Sequence, residues 1–315
     1  MDDKILLSLC IPTNGICEWV FPVLDSIYSQ SDDMTSVEVV VTDNGHNKEF
    51  SERMTSYAEE HMHLYYKKTD AHLFDNQIEA LKLAQGAYLK FVNHRTKLLP
   101  GSLARMIAII SENIEDKPAI YWANGVLKKK ECNIVCSDFD CFVRNLGRYA
   151  SWTTGVGIWR EDFYKIDKHV KYNPISPHSA VLFSERRKNQ YIINNEVLLQ
   201  EIDTDQSKKG TYDLFKAFAV FEPAITLELL QDGDISAETF KIVKKDYEKF
   251  LCELYLDFCV FKSPCSYQLD GFKDAMGIFY NKYTIILGAA LGVPRRILKK
   301  TADVVNGIVR MIERK

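Results

Sequence analysis

Two short apolar runs separated by one helical period constrain this 315-residue chain more than any other feature. The first, Leu6-Leu7-Ser8-Leu9-Cys10-Ile11, is too brief for a helix, is stopped by Pro12 and reads as a buried strand. Val20, Leu24 and Ile27 then recur at helical spacing, and Val37-Glu38-Val39-Val40-Val41 follows as a strand rich in β-branched residues. Strand, helix, strand predicts a parallel pair in an α/β sheet. The second strand ends at Thr42-Asp43-Asn44-Gly45, which puts an acid just past its carboxyl end. Ligands bind at that edge of open α/β sheets.

The order and spacing of several pieces resemble glycosyltransferase family 2. They are Ser8-Leu9-Cys10-Ile11-Pro12-Thr13, Leu24-Asp25-Ser26-Ile27-Tyr28-Ser29-Gln30, Val39-Val40-Val41-Thr42-Asp43-Asn44, Asn76 with Ala80 and Ala84, Gly86-Ala87-Tyr88, and Leu99-Pro100-Gly101-Ser102-Leu103. Together they cover roughly the first third of the chain, and the signal lies in their sequence order rather than in any one piece. The resemblance implies a GT-A-like, Rossmann-type α/β fold: a mixed, mostly parallel sheet with helices on both faces. It also implies a nucleotide-sugar donor. Pro12, Thr13 and Asn14 would then lie beside the nucleoside, Asp43 and Asn44 would meet base or ribose, and Asn76 would hold the loop beneath. Residue by residue, plainer readings stand alongside: Pro12 ends a strand, Asp43 caps a helix or makes an Asx-turn, and Asn76 is a helix-surface amide.

The chain departs from the family where acids that bind a divalent ion usually precede Leu-x-Pro-Gly. Here the sequence is Asn93-His94-Arg95-Thr96-Lys97-Leu98-Leu99-Pro100-Gly101. A hard cation such as Mn or Mg wants oxygen ligands, and neither Arg nor Lys supplies one. Two accounts follow. In one, Arg95, with His94 or Lys97, does the ion's electrostatic work, because a guanidinium pairs bidentately with phosphate oxygens. The protein is then a metal-independent transferase. In the other, the domain is a catalytically degenerate sugar-nucleotide binder or a scaffold subunit of a glycan-assembly complex. His72 stands near the position of a usual glycine, and Asn14-Gly15 replaces a Tyr-Asn-Arg-like segment.

Asp138-Phe139-Asp140 spells the acid-x-acid pattern beside Cys132, Cys136 and Cys141, but it lies about forty residues too late and reads as a solvated loop. No paired Cys-x2-Cys knuckles suggest structural zinc. Eight cysteines without dense pairing suit a reducing cytosol, and Cys10, Cys17, Cys252 and Cys259 read as small core residues.

Ala119-Ile120-Tyr121-Trp122-Ala123 reads as a strand, and Thr153 to Trp159 as a strand whose glycines admit a close neighbour. Arg160 to Phe163 opens a helix, Trp159 is expected in the core, and Tyr191 to Glu196 is a late edge strand. The resemblance places an acceptor loop and general base after this region. The base is needed because a hydroxyl must lose its proton as it attacks the anomeric carbon. Candidates are Asp162, Asp167 and His178, of which Asp162 reads as a helix-start acid. His178 is either base or phosphate ligand, or simply a helix-start histidine.

Residues 1–210 thus form the predicted catalytic domain, and 211–294 a helical region packing on it. In that region Phe240, Val243, Tyr247, Leu251, Leu254 and Phe258 follow the N-cap Ser236, and a second helix is expected from Phe272 to Leu291, ending before Pro294. Residues 295–315 carry seven Lys or Arg against Asp303 and Glu313, a net charge of +5. Ile297, Val304, Ile308, Val309 and Ile312 mark one helical face there, suited to an anionic membrane surface or to packing on the same protein or a twin subunit. No apolar run is long enough to span a bilayer, and Met1-Asp2-Asp3-Lys4 is not a signal peptide. The expected location is cytoplasmic, or peripheral on the inner face of the membrane. A net charge of −3 disfavours nucleic acid as a partner. The expected partners are a nucleotide-sugar donor and a glycan or lipid-linked acceptor.

Overall fold

The computed structural model describes residues 5–30, 34–129, 131–166, 172–203, 205, 211–294 and 296–297. The chain divides into two compact units, Met1–Thr204 and Asp205–Lys315. The expected strands and helix at the start of the first unit are present: β1 (Leu7–Thr13), α1 (Cys17–Tyr28) and β2 (Val37–Asp43). α2 (Lys48–Glu60), β3 (Leu64–Lys68), α3 (Asn76–Leu83), β4 (Tyr88–Phe91), β5 (Thr96–Leu98) and α4 (Ser102–Glu112) follow. β6 (Ala119–Trp122), β7 (Asn133–Cys136), α5 (Phe139–Leu146), β8 (Gly157–Trp159), α6 (Arg160–Phe163), α7 (Pro177–Ser184), β9 (Tyr191–Asn194) and β10 (Leu199–Glu201) complete it.

The main sheet has the order β3-β2-β1-β4-β8, with its first four strands parallel and β8 antiparallel to β4. Every residue of β2 is buried, as a strand covered on both faces requires. Strand alternation explains the two layers of helix. Leu7, Leu9 and Ile11 join Val20, Leu24 and Ile27 of α1 in one core, whereas Cys10 turns the other way and its thiol meets the Ala80 carbonyl of α3. The architecture is therefore mixed α/β, with a parallel-rich sheet between helices.

One polar side chain inside β2 ties this layer together. The Glu38 carboxylate is buried and accepts hydrogen bonds from Ser8 Oγ and from the backbone N–H groups of Gln85 and Gly86. Gly86 is required by space, since a Cβ there would stand 2.5 Å from Ser8 Oγ.

Several expectations are corrected here. Tyr191–Asn194 is no edge strand: β9 is the centre of a separate sheet ordered β6-β9-β7, parallel to β6 and antiparallel to β7. The reason is long-range, because β7 is a four-residue run, Asn133-Ile134-Val135-Cys136, too short between polar neighbours to show an alternation of its own. Thr153–Gly155 is a 3-10 turn, so the strand predicted there shrinks to Gly157–Trp159. Its glycines do admit close neighbours, the Tyr121 ring at Gly155 and the Tyr88 ring at Gly157. Asp138-Phe139-Asp140 opens α5 rather than forming a loop. Asp138 Oδ1 caps it by accepting from Cys141 N at 2.7 Å, and Phe139 is buried. Trp159 is in the core, as expected, donating from Nε1 to the Pro118 carbonyl.

The second unit is helical. α8 (Leu214–Lys216) runs through a π-helical segment (Ala217–Phe221) into α9 (Glu222–Gln231). α10 (Ala237–Leu254) is capped by Ser236, as predicted, and continues as a second π-helical segment, Tyr255–Val260. The single helix expected from Phe272 to Leu291 is instead two: α11 (Phe272–Ala275) and α12 (282–294). Gly277 at φ +94° breaks the run, and α12 extends through Pro294. No described helix is long and apolar enough to cross a membrane. The tail expected as an amphipathic helix at 295–315 lies, apart from residues 296 and 297, outside the described residues.

Candidate functional site

The chain runs from β1 through β2 to β3 on one side of the sheet and returns with β4 on the other, which makes the β1/β4 junction a topological switch point. The sequence-predicted residues gather at the carboxyl ends of these strands. Thr13 and Asp43 are register partners at the ends of β1 and β2. Asn76 opens α3, and its Nδ2 donates to the carbonyls of Thr13 at 3.1 Å and Thr42 at 2.9 Å, while Thr69 Oγ1 donates to its Oδ1 at 2.7 Å. A buried amide with its acceptor and both donors engaged locks three strand ends into one rim. This answers the surface-amide alternative, since Asn76 is buried.

Asp43 is fully buried. Its Oδ1 accepts from Gly45 N at 2.8 Å, the Asx-turn of the plainer reading, and its Oδ2 accepts from Tyr66 Oη and Lys68 Nζ, each at 3.0 Å. Two carboxylate oxygens offer about four acceptor positions, so three bonds leave one open. Lys68, 44% exposed, also donates to the Gly45 carbonyl and so carries a positive charge to the lip of the site. Gly45 packs against Asn14, where an added Cβ would stand 1.9 Å from the Asn14 carbonyl oxygen. Pro12 is half-buried, Asn14 exposed, and Asn44 donates from Nδ2 to the carbonyls of Ala71 and Leu73.

Just beyond β4, His94 reaches back across the switch point: its Nδ1 is 2.8 Å from Thr13 Oγ1, which also accepts from Gly15 N. His94 is half-buried, and its ring meets Trp19 edge-on with the two ring centroids 5.1 Å apart. Burial, reinforced by the Arg95 charge, pushes its pKa down to about 3, so the ring is neutral. Arg95 lies beside it with its guanidinium carbon 5.8 Å from the Trp19 ring centre. Its backbone is fixed by donation to Asn93 Oδ1 and by acceptance from Ile202 N at 2.8 Å. Arg95 Nε is buried and has no hydrogen-bond partner among the described residues. A buried orphan donor costs about 1–3 kcal/mol, which makes it a place to look for a ligand or bound water. Lys97, exposed on β5, lies nearby in sequence.

The side chains of residues 93–97 do not form a donor set that fits a hard cation. Asn93 Oδ1 is taken by Arg95 N, His94 Nδ1 by Thr13, and a guanidinium has no lone pair to offer. Among the described residues no cluster of three or more His, Cys, Asp or Glu is placed to hold a metal.

The candidate bases lie apart from this rim. His178, second residue of α7, is 4% exposed. Its Nε2 donates to the Ser151 carbonyl at 2.8 Å, leaving Nδ1 of the neutral ring to accept from Thr153 Oγ1 at 3.2 Å. Gln77 Oε1 stands 3.1 Å from the same nitrogen, so a neutral ring bonds to Gln77 only with that amide turned to present its Nε2 as donor. Both nitrogens are engaged inside the protein, and burial pushes the pKa down to about 4. This is the geometry of a crosslink between α3, α7 and the 151–153 turn, with neither nitrogen open to an incoming hydroxyl. Asp162 pairs with Lys165 and Lys188, in keeping with its reading as a helix-start acid. Asp167 lies outside the described residues.

Sequence reasoning missed Trp19, Tyr66, Lys68, Thr69 and Gln77. Lys67-Lys68-Thr69 at the end of a third strand was the available signal, since every parallel strand delivers its last residues to the same edge. Trp19 gave none, because an aromatic on a helix face reads as core.

No family model matches the chain, and no curated protein matches its sequence. Solved structures do share its fold. Staphylococcus aureus TarS 1-349 in complex with UDP aligns with a TM-score of 0.60 at 15% identity, over 87% of this chain and 80% of that one. The fold is GT-A-like. The mannosyltransferase PcManGT from Pyrobaculum calidifontis, in complex with GDP-Man and Mn2+, aligns with a TM-score of 0.53 at 15% identity, over 96% of this chain and 80% of that one. A longer S. aureus TarS chain gives a TM-score of 0.52 at 14% identity, and the alignment spans 82% of this chain but only 44% of TarS.

Proposed function

We propose that the protein is a glycosyltransferase that moves a sugar from a nucleotide donor to a glycan or lipid-linked glycan, with inversion and without a bound divalent ion. The observation that carries this reading is Arg95: a buried, unpartnered Nε beside the switch point, where a donor diphosphate would lie in a fold shared with a UDP complex and a GDP-Man complex. Asp43, which has no exposed side-chain surface, takes a base or ribose donor group once the Lys68 ammonium swings off Oδ2, with Pro12, Thr13, Asn14 and Asn44 beside it and Asn76 holding the rim. The Arg95 guanidinium pairs with the diphosphate oxygens and stabilises the charge that grows on them.

The acceptor hydroxyl oxygen then forms its bond to the anomeric carbon from the face opposite the diphosphate. The carbon–oxygen bond to the diphosphate breaks, and the hydroxyl proton passes to a base. Asp167 is the better candidate for that base, because His178 has both nitrogens engaged. In place of the charge that a divalent ion would supply to the diphosphate, this chain presents Arg95 beside a neutral His94.

Calorimetric titration of UDP, UDP-GlcNAc and GDP-Man, each with manganese and again with a chelator, tests the reading. Binding indifferent to chelator supports Arg95 as the substitute cation and names the base. Binding that requires manganese removes metal independence. Binding without sugar transfer to any acceptor or water favours the degenerate sugar-nucleotide binder, and no binding favours the scaffold.

A further inference from the structure

α12 is built with its amphipathy reversed. The side toward its own unit carries Ile285 and Ala289, both buried, together with Gly288 and Gly292. A Cβ at Gly288 would stand 2.5 Å from Cys252 Sγ and one at Gly292 3.0 Å from Leu256 Cδ2, so close packing on α10 and the segment after it is made by missing side chains. Arg296 anchors the same side through an ion pair of 2.7 Å with Asp257. The larger apolar side chains point away: Tyr283 is 63% exposed, Leu287 66% and Leu291 84%. Ile286, Ala290, Pro294 and Ile297 are exposed with them. At 3.6 residues per turn these seven positions fall within an arc of about 140°, a continuous apolar face that ordinary scattered surface leucines do not form.

We propose that this face of α12 docks on the surface of an anionic lipid bilayer. Charge selects that occupant over a second copy of the chain. Residues 295–315, which follow directly on this face in sequence, carry a net charge of +5 that anionic lipid neutralises, whereas a second copy adds a further +5 to the assembly. In sequence the face is followed at once by the basic residues Arg295, Arg296, Lys299 and Lys300. An apolar face followed by Lys and Arg, with a tyrosine at its start, is the composition of a helix lying in the headgroup plane. A transferase acting on a lipid-linked acceptor would be held where its acceptor is, but the docking face stands on its own geometry and does not depend on that activity.

The test is flotation of the full chain with phosphatidylcholine vesicles and with vesicles that also contain phosphatidylglycerol, in low and high salt. The wild type is expected to float with the anionic vesicles only and to be released by salt. Leu287→Glu with Leu291→Glu, at exposed positions that leave the fold intact by circular dichroism, should reduce flotation about tenfold or more, as two lost leucine insertions require. Failure of the wild type to float, equal flotation with neutral vesicles, or unchanged flotation of the double variant each overturns the proposal. A wild-type dimer in light scattering that the double variant dissociates, without flotation, assigns the face to a second copy instead.

Discussion

His94 Nδ1 lies 2.8 Å from Thr13 Oγ1, and that hydrogen bond ties the segment after β4 to the end of β1 across the switch point. Thr13 Oγ1 also accepts from Gly15 N, so the imidazole is held by the same hydroxyl that shapes the loop beside the proposed nucleoside position. A neutral–neutral bond of this kind contributes about 0.5–1.5 kcal/mol net. Thr13→Val and His94→Ala should each weaken UDP or GDP binding by roughly two- to tenfold, and a double-mutant cycle should show them coupled. Strict additivity in calorimetry would mean the bond does not form in solution.

Arg95→Ala should lower turnover by about 10²–10³ while raising the dissociation constant of the nucleotide sugar much less, because the guanidinium meets charge that develops as the diphosphate leaves. Arg95→Lys should rescue little, since an ammonium lacks the planar fork. Equal losses in kcat/KM and in ground-state affinity, measured by steady-state kinetics beside calorimetry, would reduce Arg95 to a binding residue.

Asp43 serves both rim and ligand in the proposal. Its removal orphans Gly45 N and Tyr66 Oη and leaves Lys68 without its carboxylate. Asp43→Ala should therefore cost about 1–3 kcal/mol in denaturant unfolding as well as nucleotide affinity. Lys68→Met separates the two roles. It leaves the Asx-turn in place and should shift affinity for the charged donor more than stability, because Lys68 is 44% exposed and its pair is screened on that side. An Asp43→Ala protein with an unchanged dissociation constant would end the nucleoside assignment.

Gly45→Ala places a Cβ 1.9 Å from the Asn14 carbonyl, so the loops after β1 and β2 must separate. A loss of about 1–3 kcal/mol is expected, with weaker nucleotide binding, against near-neutrality at an exposed helix position such as Glu52. Thermal unfolding of the two alanine variants side by side decides it.

His178 sets an acid limit on the fold. Its pKa falls from the ordinary 6.5 to about 4 because burial disfavours the imidazolium. The unfolded chain therefore takes up a proton below pH 6.5 that the native chain refuses until about pH 4, and stability falls across that window. The full loss is on the order of 3 kcal/mol. His178→Asn should be less stable at neutral pH, with its crosslink to Ser151 and Thr153 impaired, yet lose less on acidification. A wild-type and variant difference that stays constant from neutral to acid pH would show that the imidazole is not buried in its neutral form.

Much of the first unit was legible in the sequence because its signals are local. β1 and β2 announce themselves as apolar runs with a helical period between them, and the carboxyl edge of a parallel pair follows from connection geometry alone. Asp43 is thereby placed on that rim, whereas Thr13 and Asn76 join it only through the resemblance to glycosyltransferase family 2. β9 was assigned to an edge because nothing in its own residues says that β6 and β7 flank it. The break at Gly277 hid inside a run of helix-compatible residues, and His178 looked free because its partners, Gln77, Ser151 and Thr153, are distant in sequence or lie in a turn read as strand.

By itself the sequence determined the α/β order of the first unit, the edge at which polar residues collect, and the basic run His94-Arg95-Thr96-Lys97 that follows the fourth strand. Tertiary structure decided which of those residues have a hydrogen bond to spare. Asp43 keeps one acceptor position, Arg95 keeps a buried donor, and His178 keeps neither nitrogen. The reason is physical: strand and helix are encoded by neighbours along the chain, whereas the protonation and availability of a side chain depend on burial and on partners that only folding brings within 3 Å.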